Sequence, residues 1–427
     1  MKILIVSEDI PNPHLGGLGK HALNLAHALA ARGHTVDLLG SATHPIANHP
    51  EQRGPGAFIA ALAGYERGWK QKQLGAFHAW AHRANAAPLR RALVQHAAGY
   101  DVVHYHGHLP WVAADLPADL PFLQTRHDQG GDCMLKTRFL DTDGGRVCTT
   151  TDPRECAGCA AGQPAAWQRA VSAHAVRDMR QLTARAYERH VTVFVSGFLK
   201  RNAERGLGQA LPGVVVHNAV DAEQLSTVAA QAAAMPGEAG HGDTPLRLFS
   251  AGALFHYKGF GPMLASLEAA AAQHPRPYRL RLAGSGPLEG QLRERHAGPQ
   301  IEFLGWTAYP AVVTELLAAD AVLVPSIWEE PCATSILEAL ALGKTVFALR
   351  SGGTPEMAAY AASAGGQLKL FDDMAALTRA ALQAPRSPDA VIRPQQFQNH
   401  MGQMAARLEA IYKQVVAGRA PSDIEAD

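Results

Sequence analysis

The chain alternates two kinds of segment, and it does so in two successive series. Apolar runs rich in branched side chains alternate with segments in which apolar residues recur at helical spacing. The runs of the first series are KILIVS (2–7), TVDLLGS (35–41), DVVHYHG (101–107), PFLQTRHD (121–128), VTVFVSG (191–197) and GVVVHNAVD (213–221). Repeated strand–helix units predict a parallel sheet covered by helices.

A second series of the same kind follows a stretch of small, polar and Gly/Pro-rich residues. Its runs are LRLFSAG (246–252), YRLRLAGSG (278–286), QIEFLG (300–305), AVLVPS (321–326), TVFALRSG (345–352) and GQLKLF (366–371). The pattern predicts an α/β protein with two Rossmann-like parallel-sheet domains that face each other across a cleft. The expected boundaries are a first domain at 1–221, a linker at 222–245, a second domain at 246–395, a closing helix at 396–418 and a disordered tail at 419–427.

Bulk composition excludes some classes of protein. The 427 residues are 47% apolar and carry a formal net charge of +1, so the basic excess typical of nucleic-acid-binding proteins is absent. The sequence has no apolar run of about 18 residues, and its start, MKILIVSEDIPNP, does not resemble a signal peptide. We therefore expect a cytoplasmic protein with no nucleic-acid partner.

The segment EEPCATSILEAL holds two glutamates, Glu330 in a predicted loop and Glu338 just inside a predicted helix. Eight helical residues span about 12 Å, too far for a hydrolase's carboxyl pair. The spacing instead suits two ends of an extended ligand, with the amides of Ala333, Thr334 and Ser335 at the helix start as a phosphate seat between them. The alternative is structural, since Ser335-x-x-Glu338 also matches a capping box.

These motifs, in this order, resemble the retaining, nucleotide-sugar-dependent glycosyltransferases of the GT-B fold, family 4. The resemblance covers nearly the whole chain, through Glu330-x7-Glu338 and the motifs GGLGKH, VVHYHG, QTRHD, VSGFLKRNAERG, VVVHNAVD, AGALFHYKGF, LAGSGPL, IEFLGW and RSGGTPEM. It implies a hexosyltransferase that moves sugar from a nucleotide-diphosphate donor to a glycan or lipid-linked acceptor, in polysaccharide or glycoconjugate synthesis. It implies no cofactor for catalysis.

The resemblance also implies roles for individual residues. Glu330 would bind donor-sugar hydroxyls, Glu338 the ribose, and Lys258 the diphosphate, while His127 would lie against the transferring sugar. The other donor-binding residues that it implies are Gly16, Gly17, Gly284, Leu304, Ala333, Thr334 and Ser335. Structural alternatives exist: His127 as an ordinary strand-end histidine, and Lys258 as a solvated residue at a helix start.

One position departs from the family pattern. Similar enzymes carry an arginine shortly before the lysine, whereas this chain has Ala253 in the run Gly252-Ala253-Leu254. His256 or another basic side chain would have to replace it. The departure keeps open a catalytically weakened nucleotide-sugar or glycan-binding protein. A phosphorylase or epimerase is the alternative among enzymes.

Four of the five cysteines cluster in a predicted insertion at 128–165. Their spacing, Cys133-x14-Cys148-x7-Cys156-x2-Cys159, fits four thiolates around a structural zinc ion, in a segment poor in core residues. An iron–sulfur cluster, redox disulfides and unconnected thiols are alternatives. The insertion leaves the strand that carries His127, so we expect it to shape the acceptor pocket; Cys332 is predicted to be a packing residue.

A segment at 66–91 mixes basic and aromatic side chains, which together can dock on an anionic membrane. These residues are Trp69, Lys70, Lys72, Phe77, Trp80, Arg83, Arg90 and Arg91. Peripheral contact with the inner face of the membrane is one reading. A helical insertion with inward aromatics and solvated charges is the other.

Overall fold

The computed structural model describes residues 1–13, 15–62, 78–141, 144–161, 165–233, 245–273, 276–386 and 394–426. The chain divides into two units. The amino-terminal unit contains Met1–Arg138, Cys148–Asn218 and Met401–Asp427, and the carboxy-terminal unit contains Phe139–Val147 and Ala219–His400.

Fifteen strands and thirteen helices are numbered in chain order over these residues. The strands are β1 Lys2–Val6, β2 Thr35–Ser41, β3 Phe58–Leu62, β4 Val102–His106, β5 Phe122–Arg126, β6 Phe139–Leu140, β7 Arg146–Val147, β8 Val191–Phe194, β9 Val214–Val215, β10 Leu246–Ala251, β11 Tyr278–Ala283, β12 Ile301–Gly305, β13 Ala321–Val324, β14 Thr345–Leu349 and β15 Gln367–Phe371. The helices are α1 Gly17–Ala31, α2 His78–Ala97, α3 Pro153–Ala161, α4 Ala166–Arg189, α5 Gly197–Leu207, α6 Ala222–Ala233, α7 Phe260–Ala271, α8 Glu289–His296, α9 Tyr309–Ala318, α10 Thr334–Ala341, α11 Ala358–Ala361, α12 Met374–Leu382 and α13 Met401–Val416.

The amino-terminal unit is built on a seven-stranded parallel sheet of order β3-β2-β1-β4-β5-β8-β9. The strand order reverses direction between β1 and β4, which is the switch point at which such sheets bind ligands. The loops after β1, β4 and β5 leave this edge of the sheet. The loop after β1 leads to Gly17, β4 ends at His106, and His127 follows β5.

The carboxy-terminal unit has a six-stranded parallel sheet of order β12-β11-β10-β13-β14-β15. Its switch point lies between β10 and β13. The loop after β10 carries Lys258 and the loop after β13 carries Glu330. The topology therefore brings both residues to one end of one sheet.

The predicted α/β class and the predicted strands are confirmed, with three local differences. β9 has only two residues, and the edge strand β3 was not predicted because its sequence, FIAAL, does not alternate apolar with polar residues. The antiparallel hairpin β6–β7 lies inside the cysteine insertion and was also missed, because each of its strands has two residues.

The expected linker begins as a helix. α6 covers Ala222–Ala233, and it buries Leu225 and Ala229, which lie four residues apart on one face. Helix formation by alanine-rich sequence overrode the turn-rich composition that suggested a linker. Residues 234–244 lie outside the described part of the chain.

The carboxy-terminal segment is more ordered than the sequence suggested. The closing helix covers Met401–Val416, and it belongs to the amino-terminal unit, where it packs against α1. The prediction of a disordered tail is wrong for residues 419–426. Ile424 is 7% exposed, and the Gln414 amide nitrogen donates to the Glu425 carbonyl at 2.9 Å.

The basic and aromatic segment is described only in part. Residues 66–77, including Trp69, Lys70, Lys72 and Phe77, lie outside the described residues, and helix α2 begins at His78. Arg90 of that helix donates to Asp115 at 2.8 Å, while Arg91 is exposed. Across the described ranges, no helix combines the length and the apolar character needed to cross a membrane.

Candidate active site

Glycines shape the loops at the carboxyl ends of β10 and β11. Gly284 has φ +135°, and a Cβ there would lie 1.9 Å from the Gly252 carbonyl oxygen. Backbone bonds join these loops: Gly252 N donates to Ala283 O at 3.0 Å, and Gly284 N donates to Gly305 O at 2.7 Å. The glycine at 284 is therefore required by the fold itself. Leu304, half-buried, precedes Gly305 at the end of β12.

The loop after β10 lies directly on the loop after β13. Gly259 has φ +75°, and a Cβ there would lie 2.0 Å from the Pro325 carbonyl oxygen. The Tyr257 carbonyl accepts from the amides of Ile327 and Trp328 at 3.1 and 3.2 Å. This backbone pairing positions the side chain of Lys258.

Lys258 and Glu330 form an ion pair, with Nζ to Oε1 at 2.5 Å. Glu330 is 6% exposed, and the Ser326 hydroxyl also donates to its Oε1 at 2.7 Å. Burial opposes the charge on this carboxyl, but the Lys258 ammonium and the hydrogen bond from Ser326 lower the pKa of Glu330 below its ordinary value. Glu330 is therefore held as a carboxylate in a buried position.

A second loop holds the backbone at this glutamate. Gly353 N donates to the Glu330 carbonyl at 2.7 Å. Gly352 has φ +59°, and a Cβ there would lie 2.4 Å from that same oxygen. The SGGT turn after β14 thus fits against the Glu330 loop only with glycine at 352.

Glu338 lies in the second turn of α10, as predicted, but not in a capping box. The helix begins at Thr334, and the N-cap residue Ala333 makes no side-chain cap. The carboxylate of Glu338 instead receives a hydrogen bond from Tyr309, and burial together with this carboxylate raises the pKa of the tyrosine hydroxyl. Thr334 and Ser335 precede Ile336, the first residue whose amide donates to the Ala333 carbonyl. Their amides lie at the positive end of the helix.

In the amino-terminal unit, Gly16 and Gly17 open helix α1, with Gly16 as its N-cap. A Cβ at either glycine would meet no described atom within 4 Å. Gly19 differs, because a Cβ there would lie 2.5 Å from Leu15. The space around Gly16 and Gly17 therefore gives no packing reason for glycine among the described residues.

His127 follows β5 and lies in a group of histidines. One potential ligand atom from each of His21, His106 and His127 lies within 4.8 Å of the others. His106 Nδ1 and His127 Nε2 are 3.1 Å apart, and the His21 and His127 ring centroids are 4.7 Å apart. Burial lowers the pKa of all three, that of His21 to about 4. The three imidazoles are therefore neutral at pH 7.

A charged network adjoins this group at the ends of β1, β4 and β5. His108 Nδ1 lies 2.6 Å from Asp128 and its Nε2 lies 3.3 Å from Asp9. Burial opposes a charge on His108, but the two carboxylates raise its pKa to about 9. Arg126 also donates to Asp128, at 2.8 Å. One histidine at this edge is thus cationic beside three that are neutral.

The cysteines do not close a four-thiolate site in this structure. Cys148, Cys156 and Cys159 interact electrostatically with one another, whereas the partners of Cys133 are Asp132 and Arg138. Burial raises the pKa of Cys133 to about 12 and also raises the pKa of Cys156 and Cys159. Among the described residues, the potential metal ligands that gather as a group are the three histidines.

The hairpin of the cysteine insertion contacts the loop after β10, which carries Lys258, within the carboxy-terminal unit. Asp141 Oδ1 lies 3.3 Å from His256 Nδ1, and the Phe139 ring meets the rings of His256 and Tyr257 at centroid distances of 5.9 and 6.4 Å. His256 was predicted as a replacement for the arginine missing at Ala253. The structure gives it an aspartate neighbour.

Sequence reasoning missed several residues of these sites. Ser326 and Tyr309, which bond Glu330 and Glu338, carry no sequence signal, because they meet the glutamates only through the folding of separate loops. His106 did carry a sequence signal. It lies two residues after His104 on a predicted strand, so both side chains are expected on the same face of the sheet. His21 lies in the helix that the glycine motif opens.

Comparison with known proteins gives matches over both units. The Glycosyltransferase Family 4 model matches residues 15–224, and the model for glycosyl transferases group 1 matches residues 232–384. Glycogen synthase of Mycobacterium tuberculosis is 26% identical over 373 residues, covering 83% of this chain and 80% of that protein.

Solved structures agree on the fold. The sucrose-phosphate synthase of Thermosynechococcus elongatus superposes with a TM-score of 0.65 at 19% identity, covering 98% of this chain and all of that one. Anabaena HepE in complex with UDP-glucose superposes with a TM-score of 0.56 at 16% identity, covering 98% of this chain and 99% of that one. Two family models that together match most of the chain, with two Rossmann-type sheets, show that this chain belongs to the GT-B glycosyltransferases.

Proposed function

We propose that the protein is a retaining glycosyltransferase that moves a hexose-type sugar from a nucleotide-diphosphate donor to a glycan or lipid-linked acceptor. The observation that carries this proposal is the Lys258–Glu330 pair at the switch point of the carboxy-terminal sheet. A buried carboxylate and a partly exposed ammonium lie there on adjacent loops. These are the two groups that a sugar hydroxyl and a diphosphate require.

The pair is proposed to separate when the donor binds. The Lys258 ammonium then turns to the diphosphate, and the Glu330 carboxylate accepts hydrogen bonds from sugar hydroxyls. As the bond between the anomeric carbon and the diphosphate breaks, negative charge grows on the leaving oxygen. The ammonium and the amides of Thr334 and Ser335 stabilise that charge without reorganising.

Glu338 is proposed to hold the ribose hydroxyls. Tyr309 supports this role, because its hydroxyl donates a hydrogen bond to the Glu338 carboxylate and so limits the rotamers of Glu338. His127 is proposed to contact the transferring sugar and to orient it. Its lowered pKa suits a neutral hydrogen-bonding residue.

The relatives guide the choice of donor. One similar structure contains UDP-glucose, and one similar protein is a glycogen synthase. We therefore begin with uridine and adenosine diphosphate hexoses, followed by guanosine diphosphate hexoses. A true donor raises the midpoint of thermal unfolding, because it binds only the folded protein. Glu338→Gln should reduce this shift, while Glu294→Gln, on exposed α8, should leave it unchanged.

A catalytically weakened nucleotide-sugar or glycan-binding protein is the second candidate, favoured by Ala253 where similar enzymes carry arginine. The two candidates differ in product. With the donor that gives the largest thermal shift, a transferase releases nucleotide diphosphate when a glycan or lipid-linked acceptor is added. Donor binding without acceptor-dependent release across the acceptor panel would favour the binding protein.

We also propose a structural zinc ion at the cysteine cluster, on the spacing of the motif and on the electrostatic interactions among Cys148, Cys156 and Cys159. Cys133 would have to approach the other three to complete four thiolates. The reduced protein should hold one equivalent of zinc more than Cys156→Ser, and this variant should have a lower unfolding midpoint. Cys332→Ser should retain the ion. Zinc-free reduced protein would contradict the proposal.

A further inference from the structure

We propose that His21, His106 and His127 form a binding site for a divalent transition-metal ion of the Zn²⁺, Co²⁺ or Cu²⁺ type. The site lies wholly within the amino-terminal unit and is separate from the cysteine cluster. Each histidine comes from a different element: helix α1, the end of β4 and the residue after β5. Neither the family match nor the proposed transfer reaction requires an ion here, and an ion would take one of the two ring nitrogens of His127, the residue proposed to orient the transferring sugar.

The spacing of the nitrogen atoms fits coordination. Zinc–imidazole bonds of about 2.0–2.1 Å at tetrahedral angles place two ligating nitrogens about 3.3 Å apart. His106 Nδ1 and His127 Nε2 are 3.1 Å apart, and the potential ligand atoms of all three residues lie within 4.8 Å of one another. Small side-chain rotations would therefore bring three nitrogens onto one ion.

Ordinary hydrogen bonding accounts for the group less well. Nε2 of His106, a residue that is fully buried, has no hydrogen-bond partner among the described residues. His104, on the same strand and equally buried, differs, because Tyr412 and Thr125 each lie 2.7 Å from one of its ring nitrogens. The fold thus satisfies both ring nitrogens of one buried histidine of this strand, whereas Nδ1 of the next faces the imidazole of His127, and an ion between these two rings would replace that contact.

The chemistry of the ligands indicates the class of ion. Three neutral imidazoles without a carboxylate or thiolate suit Zn²⁺, Co²⁺, Ni²⁺ and Cu²⁺ better than Mg²⁺ or Ca²⁺, which prefer oxygen. Arg126 and Asp128 flank His127, but they pair with each other at 2.8 Å, so their charges largely cancel. Three protein ligands leave a coordination position open to water.

The test is titration of the full-length, metal-free, reduced protein with Co²⁺. Imidazole ligands give visible d–d absorption, whereas ligation by the cysteines adds thiolate-to-cobalt charge transfer in the near ultraviolet; Cys156→Ser removes that contribution. We expect one imidazole-bound Co²⁺ per chain, displaced by Zn²⁺. His21→Gln and His127→Gln should each weaken it at least about tenfold. The exposed His174 supplies the matched control His174→Gln, which should bind as wild type.

Circular dichroism and the unfolding midpoint check that each variant folds. Should both ligand variants fail to fold, pulsed electron paramagnetic resonance of Cu²⁺-loaded wild-type protein decides, because it detects the remote nitrogens of ligating imidazoles. Modulation from several imidazoles supports the site. The proposal is overturned by wild-type protein that binds no imidazole-ligated ion, or by folded His21 and His127 variants that both keep wild-type affinity.

Discussion

Replacing Lys258 by alanine would leave Glu330 as a buried carboxylate with Ser326 as its remaining side-chain donor in the ion-pair network. Removing one partner of a buried ion pair costs about 3–5 kcal/mol. Lys258 is 25% exposed, so water replaces part of the lost interaction and we expect about 2–3 kcal/mol. For a unit of this size, that corresponds to a midpoint lower by about 4–12 °C. Donor-dependent turnover should also be lost.

The pH dependence of the stability loss distinguishes an unpaired Glu330 carboxylate from nonspecific destabilisation of the fold. In the wild type the pKa of Glu330 lies below its ordinary value, so the pair's contribution is present above the unfolded-state pKa and is lost as pH falls through the lower native pKa. In Lys258→Ala, burial acts without the ammonium and raises the pKa of Glu330. The stability deficit should therefore be largest near pH 7 and shrink as pH falls through this raised pKa, which lies above the ordinary value of about 4.3.

Calorimetry of the wild type, Lys258→Ala and two further variants, over a range of pH, measures this loss of stability. Lys258→Ala/Glu330→Gln should recover most of the stability, because no buried charge remains, but none of the activity. Lys413→Ala is the matched control: it also breaks a lysine–glutamate pair, at 2.7 Å, but Lys413 is 66% exposed and its loss should cost less than about 1 kcal/mol. A pH-independent deficit, or one no larger than that of Lys413→Ala, would refute the reasoning.

Three further predictions concern the glycine turns, the Glu338 side chain and the basic segment. Gly284→Ala should lower the unfolding midpoint, because its Cβ would meet the backbone at 1.9 Å, whereas Gly17→Ala should fold normally and lose donor turnover; equal stability of the two variants would contradict this assignment. Tyr309→Phe frees Glu338 from its hydroxyl, so donor KM should rise several-fold with a smaller change in kcat; an unchanged KM would remove Tyr309 from donor binding. The protein should sediment with anionic liposomes in a salt-sensitive way, and the variant Arg91→Glu, at an exposed position, should sediment less. Protein that stays in the supernatant at every salt concentration would favour the helical-insertion alternative.

The sequence predicts the fold well because both sheets are parallel and buried on both faces. Such strands are continuous apolar runs that stand out from amphipathic helices, and Leu4 and Leu248, on the first strand of each sheet, are almost fully buried. Elements that depend on few residues were not predictable. The β6–β7 hairpin and the strand β3 lack such a signal, and the order of the tail depends on a contact between Gln414 and Glu425.

For the candidate site, the two glutamates and the lysine were found because they occur in motifs of fixed spacing. Their partners were not, because Ser326, Tyr309 and the histidine group arise from loops that meet only after folding. The helix start also shows a limit of pattern matching. Ser335-x-x-Glu338 has the spacing of a capping box, but the helix begins one residue earlier, so Ser335 cannot be its N-cap.

Helix α13 has a consequence for synthesis on the ribosome. It supplies Tyr412 to the buried His104 of β4, yet it lies about 180 residues beyond Asn218, where the rest of its unit ends. At about 5–20 residues per second, a nascent amino-terminal unit waits roughly 10–40 s for this helix. During that interval the carboxy-terminal unit is translated in full, so the unit begun first is the one completed last.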